Sequence, residues 1–115
     1  MKKVFVVQNQ LRMNHRTGEL EPKYRFDSAK EYGELIYLLS PTARPFSPGH
    51  VISVLTEKLE DYDNDDSLLL VGNPVLIGFA VAIAADFNGG RVRCLQWSGT
   101  DRRYIAIEAN LYEES

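Results

Sequence analysis

The chain holds two histidines, one cysteine and a crowd of acids between Asp61 and Asp66, and spacing decides what each can do. Asp61, Asp63 and Asp65 stand at the first, third and fifth places of a calcium loop. The sixth place needs glycine for its sharp turn and holds Asp66; the twelfth needs a bidentate glutamate and holds Gly72. The pattern fails where that geometry is strictest, so a solvated helix-to-strand loop is expected. His15 and His50 have no Asp, Cys or second His at ligand spacing. Cys94 stands alone, which excludes an internal disulfide and any zinc site of paired thiolates, and leaves it a small apolar residue of a strand. Ser98-Gly-Thr-Asp101 reads as a turn, and no G-x-S-x-G elbow occurs. No catalytic residue, metal or cofactor is therefore expected.

Gly72-Asn-Pro-Val-Leu-Ile-Gly78 stands where a dinucleotide fingerprint would, after a strand and opening a helix. It lacks the glycine that lets backbone approach a pyrophosphate, and Pro74 removes an amide donor. Asn73 suits a helix cap, whose oxygen accepts from first-turn N–H groups, and Pro74 then falls where a missing donor costs nothing.

The flanking elements explain why polar groups should still converge. Val4–Val7 and Leu35–Leu39 are fully apolar runs, as is Ser67–Val71, and strands without polar alternation are covered on both faces, as in parallel sheets. Ligands of open α/β sheets sit beyond the carboxyl ends of such strands. Those ends carry Gln8, Asn9 and Gln10, then Ser40, Thr42 and Arg44, then Asn73. Gln8, Asn9, Thr42, Arg44 and Asn73 are the candidate ligand-binding set, fit for an anion or a nucleotide base.

Between these strands, Asn14–Gly18 marks a turn, so Gln8–Asn14 and Glu19–Phe26 form arms of an irregular hairpin or long loop. Ser28-Ala-Lys-Glu31 matches a capping box stopped by Gly33. Pro48–Tyr62, capped by Ser47, carries a stripe of Ile52, Leu55, Leu59 and Tyr62 with Val51 beside it, as a covering helix does. Val75–Phe87 is an almost wholly apolar helix ended by Gly89–Gly90. Leu68–Ala85 is 18 residues without a charge, but Gly-Asn-Pro interrupts it and a span needs about 20, so no membrane segment is expected.

Arg91–Trp97 and Arg103–Leu111 read as a closing hairpin. Ile105, Ile107, Ala109 and Leu111 alternate with Tyr104, Ala106, Glu108 and Asn110, which predicts one covered and one polar face on an antiparallel edge. With helices on the sheet faces, the expectation is one α/β domain over residues 1–115, a small Rossmann-like or flavodoxin-like sandwich with a mostly parallel sheet.

Net charge is −3, distributed as +4 over residues 1–30, −7 over 31–90 and zero beyond. Clustered cations drive duplex binding, so the acidic centre argues against nucleic acid as partner. No charged-then-apolar leader opens the chain, and a cytoplasmic setting is expected.

Asp65-Asp-Ser-Leu-Leu-Leu-Val-Gly-Asn-Pro-Val-Leu-Ile-Gly78, followed by Gly90-Arg-Val-Arg-Cys-Leu-Gln-Trp97 and Asp101-Arg-Arg-Tyr104, resembles a widespread set of small bacteriophage and prophage proteins of unknown function. The resemblance covers roughly the C-terminal half and extends to Lys3–Val7. It implies a phage setting in a bacterial cell and no assigned activity; Asn73 stands where that set often has Asp. The functional expectation is an accessory protein that binds a host or phage protein without catalysis. The alternative is a small-nucleotide or anionic-ligand binder, or a weak hydrolase of such a ligand, using the strand-end loops. Arg93, Trp97, Arg102 and Tyr104 mix aromatic and cationic groups as interfaces do, so the C-terminal hairpin is expected to mediate homo-oligomers.

Overall fold

In the computed structural model, which describes residues 1–113, five strands form one sheet. They are β1 (Lys3–Gln8), β4 (Glu34–Leu39), β5 (Ser67–Leu69), β6 (Arg91–Ser98) and β7 (Arg103–Asn110), in the order β4-β1-β5-β6-β7. The first four are parallel and β7 returns antiparallel to β6, as the apolar runs and the closing hairpin predict. A separate two-stranded ribbon, β2 (Leu11–Met13) and β3 (Leu20–Pro22), makes the irregular hairpin, and a 3-10 helix follows at Asp27–Tyr32. The two α-helices are α1 (Pro48–Leu59) and α2 (Pro74–Phe87). Leu68–Ala85 is divided between β5, its turn and α2, and no helix is long and apolar enough to cross a membrane.

Strand order dictates what covers each face. The chain steps from β1 to β4 in one direction, then crosses back over β1 to β5 and onward to β6. Right-handed crossovers in opposite directions lie on opposite faces. Both α-helices therefore share one face, and residues 9–33 cover the other as a strap without α-helix. The core divides accordingly. Phe5, Val7 and Leu68 pack with Val51, Leu55, Leu59, Leu76, Ala80 and Ala84 on the helix face. Val4, Val6, Leu69 and Leu95 pack with Phe26, Ala29 and Tyr104 beneath the strap.

Several local expectations need correction. Ser28 and Glu31 form no capping box: the segment is 3-10, begins after Phe26 and has no side-chain cap bond, because crossing a sheet needs a short piece of chain, not a full helix. Ser47 likewise makes no cap bond, and α1 ends at Leu59 with Val51, Leu55 and Leu59 as its buried line; Ile52 lies outside it. Along β7 the buried residue is Tyr104, while Ile107 is 49% exposed, so the apolar set is not the covered one. The strap supplies the reason, since it packs against Tyr104 and Ala106 from the opposite side.

The α2 boundaries follow the predicted chemistry. Asn73 Oδ1 accepts from the N–H groups of Val75 (2.9 Å) and Leu76 (3.4 Å). At the other end Gly89 takes φ +61°, and the Gly90 N–H reaches back to the Ala85 carbonyl at 2.7 Å, a left-handed stop that a side chain would strain.

Candidate functional site

The order reverses direction at β1, and the crevice beyond the carboxyl ends of β4, β1 and β5 is where ligands of such sheets are held. Here it is filled by Gln8. The residue is only 4% exposed, and its carboxamide bridges two loops. Nε2 donates to the carbonyls of Ser40 (3.2 Å) and Ala43 (2.9 Å), while Oε1 accepts from the Asn73 N–H at 2.9 Å. Its backbone N–H donates to the Val71 carbonyl at 3.1 Å. Gly72 makes room for this: at φ +121°, a Cβ there would lie 2.6 Å from Gln8 Cβ. An amide in this position meets donors and acceptors that would otherwise be buried without partners.

Of the sequence-predicted ligand set, the structure thus brings Gln8, Asn73 and the loop bearing Thr42 together, with Gln8 and Asn73 engaged by backbone. The Thr42 hydroxyl is exposed and paired with that of Ser40 at 2.9 Å. Arg44 is exposed and joins no hydrogen bond among the described residues. Asn9 is half-buried, with its Oδ1 enclosed and without a partner.

The open space lies one step along, past the ends of β5 and β6. A cavity of about 710 Å³ is bounded by Lys23, Tyr24 and Arg25 of the strap, the Leu70–Gly72 turn, and Gln96, Trp97 and Tyr104 of the hairpin. Its aromatic wall is graded: Phe26 packs on Tyr104 at 6.5 Å between ring centroids, and Trp97 meets Tyr104 edge-on at 5.2 Å. Tyr104 is buried and Trp97 is 50% exposed, so the wall runs from core to solvent. Burial, with Tyr24 nearby, pushes the Tyr104 hydroxyl up, so it is neutral at physiological pH. The Lys23 ammonium lies 5.4 Å from the Tyr24 ring centre, and among the described residues no acid lines the cavity.

Sequence reasoning placed Trp97 and Tyr104 at an interface; the structure sets them in this wall. Arg93 and Arg102 are elsewhere. Arg93 is held by Glu108 at 2.8 Å, and Arg102 is exposed in the hairpin turn at φ +52°. Lys23, Tyr24 and Arg25 were missed. Their signal was the cation–aromatic–cation run inside the basic first thirty residues, but nothing local says that it folds over strand ends 45 or more positions away.

At the opposite end of the sheet, a smaller cavity of about 400 Å³ is lined by Asp63, Asp66, Arg91, Arg93 and Glu108. Its charges are largely committed. Buried Asp66 accepts from the N–H groups of Lys3 (3.2 Å) and Asp63 (3.0 Å), and the Tyr62 hydroxyl bridges the Arg93 N–H and the Asp66 carbonyl. Desolvation raises the Asp66 carboxyl above its usual range despite those bonds. The acidic run is thus a turn stitched by its own carboxylates. Burial also pushes the Cys94 thiol up, away from a reactive thiolate.

Fold and site together define a small mixed α/β protein whose parallel strand ends carry one sealed crevice and one open, cation-rimmed cavity. By sequence it belongs to the Phage Pam3 gp32-like protein family, whose model matches residues 2–111. No curated protein matches it, and no solved structure does.

Proposed function

We propose that this phage protein works by binding, and that its ligand is an anion with a flat aromatic portion, of the nucleotide class. The observation that carries this is the cavity joining Trp97 and Tyr104 to Lys23 and Arg25 with no acid in its wall. Aromatic faces stack on bases, and Arg both stacks and pairs with phosphate bidentately. The sheet's order, counted on its own strands, is 2-1-3-4-5 with the fifth strand antiparallel. The parallel part shares its order with flavodoxin-like sheets, which supports reading the carboxyl ends of those strands as the binding edge. The site so assigned lies beside the Gln8, Asn9, Thr42, Arg44 and Asn73 set. The protein acts in the cytoplasm of the infected or lysogenic cell, where such ligands are abundant.

Isothermal titration with nucleoside mono-, di- and cyclic phosphates, inorganic phosphate and an uncharged nucleoside tests this reading. Nucleotides should bind better than either fragment. Arg25→Ala and Trp97→Ala should each weaken binding by about tenfold or more, a loss of about 1.4 kcal/mol. Both should fold with thermal stability close to the parent's, and Arg44→Ala should bind unchanged. No heat at millimolar nucleotide, or equal binding by the Arg25 variant, overturns it.

A second reading, docking to a host or phage protein, is favoured by Phe46. It is 84% exposed in the proline-rich loop beside Arg44, and an uncovered aromatic next to Arg is the composition of an interface hot spot. Capture of a lysate protein that is lost in Phe46→Ala, and insensitive to nucleotide, would favour that reading.

A further inference from the structure

The sheet's two edges are finished differently. At β4, the Lys58 ammonium of α1 sits on the carbonyls of Leu38 (3.0 Å) and Tyr37 (3.3 Å), a charge placed where edge strands are commonly blunted. At β7 no cation caps the edge among the described residues, and one side chain, that of Tyr32, reaches an outward carbonyl. The Leu111 N–H donates to the Gly90 carbonyl at 2.9 Å, which fixes the alternation of the β6–β7 ladder. Arg91, Arg93, Leu95 and Trp97 then face Asn110, Glu108, Ala106 and Tyr104 as non-hydrogen-bonded pairs. The Arg93 N–H accordingly points the other way, donating to the Tyr62 hydroxyl at 3.1 Å.

It follows that Tyr104, Ala106, Glu108 and Asn110 turn their N–H and C=O groups outward. Two of them are partly used: the Tyr104 carbonyl accepts from the Tyr32 hydroxyl at 3.1 Å, and the Asn110 carbonyl accepts from the Glu113 N–H at 3.2 Å. Ala106 and Glu108, at the centre of the edge, keep both groups free among the described residues. Between them Ile107, 49% exposed, points to the helix face, where α2 packs on β1 and β6.

We infer that β7 pairs antiparallel with β7 of a second copy of this chain, about a two-fold axis at Ile107, to make one continuous ten-stranded sheet. The edge itself selects the register. Centring on Glu108 would set two carboxylates opposite each other, which is repulsive. Centring on Ala106 would draw on the Tyr104 carbonyl already taken by Tyr32. Centring on Ile107 sets Ala106 of each copy against Glu108 of the other, so the four N–H and C=O groups of these two residues are met. The two carbonyls already taken, those of Tyr104 and Asn110, fall opposite each other at the ends of the pairing. It also brings the two Ile107 side chains together as a close non-hydrogen-bonded pair, with Cα atoms about 4.5 Å apart. An isologous pairing of this kind closes on itself and adds no further edge-to-edge growth, since the outer edges are then the two Lys58-covered β4 strands. The contact uses the hairpin's backbone and helix face and leaves Trp97 and Arg102 out. It does not depend on what the strap cavity holds.

Light scattering of the parent at micromolar concentration should give twice the chain mass of 13.1 kDa. Ala106→Pro should return the mass to 13.1 kDa with a folded circular-dichroism spectrum, because that N–H serves no bond among the described residues. In a Cys94→Ser background, Ile107→Cys should oxidise to a disulfide-linked dimer, since close non-hydrogen-bonded pairs lie within disulfide reach. Ile105→Cys, which faces Ala109 of the other copy, should not. A monomeric parent overturns the inference, as does a dimer that survives Ala106→Pro. Cross-linking through Ile105→Cys and not Ile107→Cys would overturn the register.

Discussion

At the carboxyl ends of the parallel strands, the crevice between β4, β1 and β5 is closed by the chain's own Gln8, whereas the space past β5 and β6 stays open under the strap. Both are walled by strand ends and turn backbone. They differ in what the nearest polar side chains have left to offer. Gln8 spends both ends of its carboxamide on loop backbone, and Asn73 spends its Oδ1 on the first turn of α2. Lys23 and Arg25 join no ion pair among the described residues, and Lys23 overlies Tyr24. The lesson is that position at a strand end is a poor guide to binding unless unsatisfied groups remain there.

Removing Gln8 should break the comparison most sharply. Gln8→Ala strands the Asn73 N–H and the Ser40 and Ala43 carbonyls in a closed space, and each orphaned buried group costs about 1–3 kcal/mol. A total loss of about 3 kcal/mol is expected by urea denaturation; a loss below about 1 kcal/mol would mean that water already serves these groups. Asn73→Ala should cost less, about 1 kcal/mol, as the loss of an N-cap alone, with Pro74 still setting the first turn. A cost comparable to that of Gln8→Ala would show that Asn73 does more than cap. At the small end, Arg25→Ala, already named as a binding variant, should shift stability by less than about 0.5 kcal/mol, since an exposed cation without an ionic partner supports ligand and not fold.

The parallel sheet was legible because Val4–Val7, Leu35–Leu39 and Ser67–Val71 are apolar without alternation, and only double-sided burial produces such runs. The turn at Asn73–Pro74 and the stop at Gly89–Gly90 were legible because each needs particular residue types. The strap was not. Its β-strands are three residues long, their burial is slight, and its one ordered turn is 3-10, so no period accumulates. For β7 the alternation was read correctly but assigned to the wrong side. Alternation says that two faces differ; only the strap over Tyr104 says which is covered. The placing of Lys23 and Arg25 beside Trp97 was hidden for the same reason, since the cavity exists only once residues 9–33 lie across the sheet.

That arrangement has a consequence for how the molecule breathes. The helix face is held by two amphipathic or apolar helices that close short crossovers between neighbouring parts of the chain. The strap face is held mainly by Phe26, Ala29 and Tyr32 against Tyr104 and the sheet. With so few buried anchors, residues 9–33 form the least costly unit to lift, and they can detach while β1, β5, β6 and α2 stay intact. Amide protons of the β2–β3 ribbon and the 3-10 turn should exchange with deuterium well before those of α2, and a ligand in the strap cavity should slow the former alone. Uniform exchange across both faces would instead show one cooperative unit. In the first case the cavity's wall is also its door, and access to it is set by the stability of that single layer.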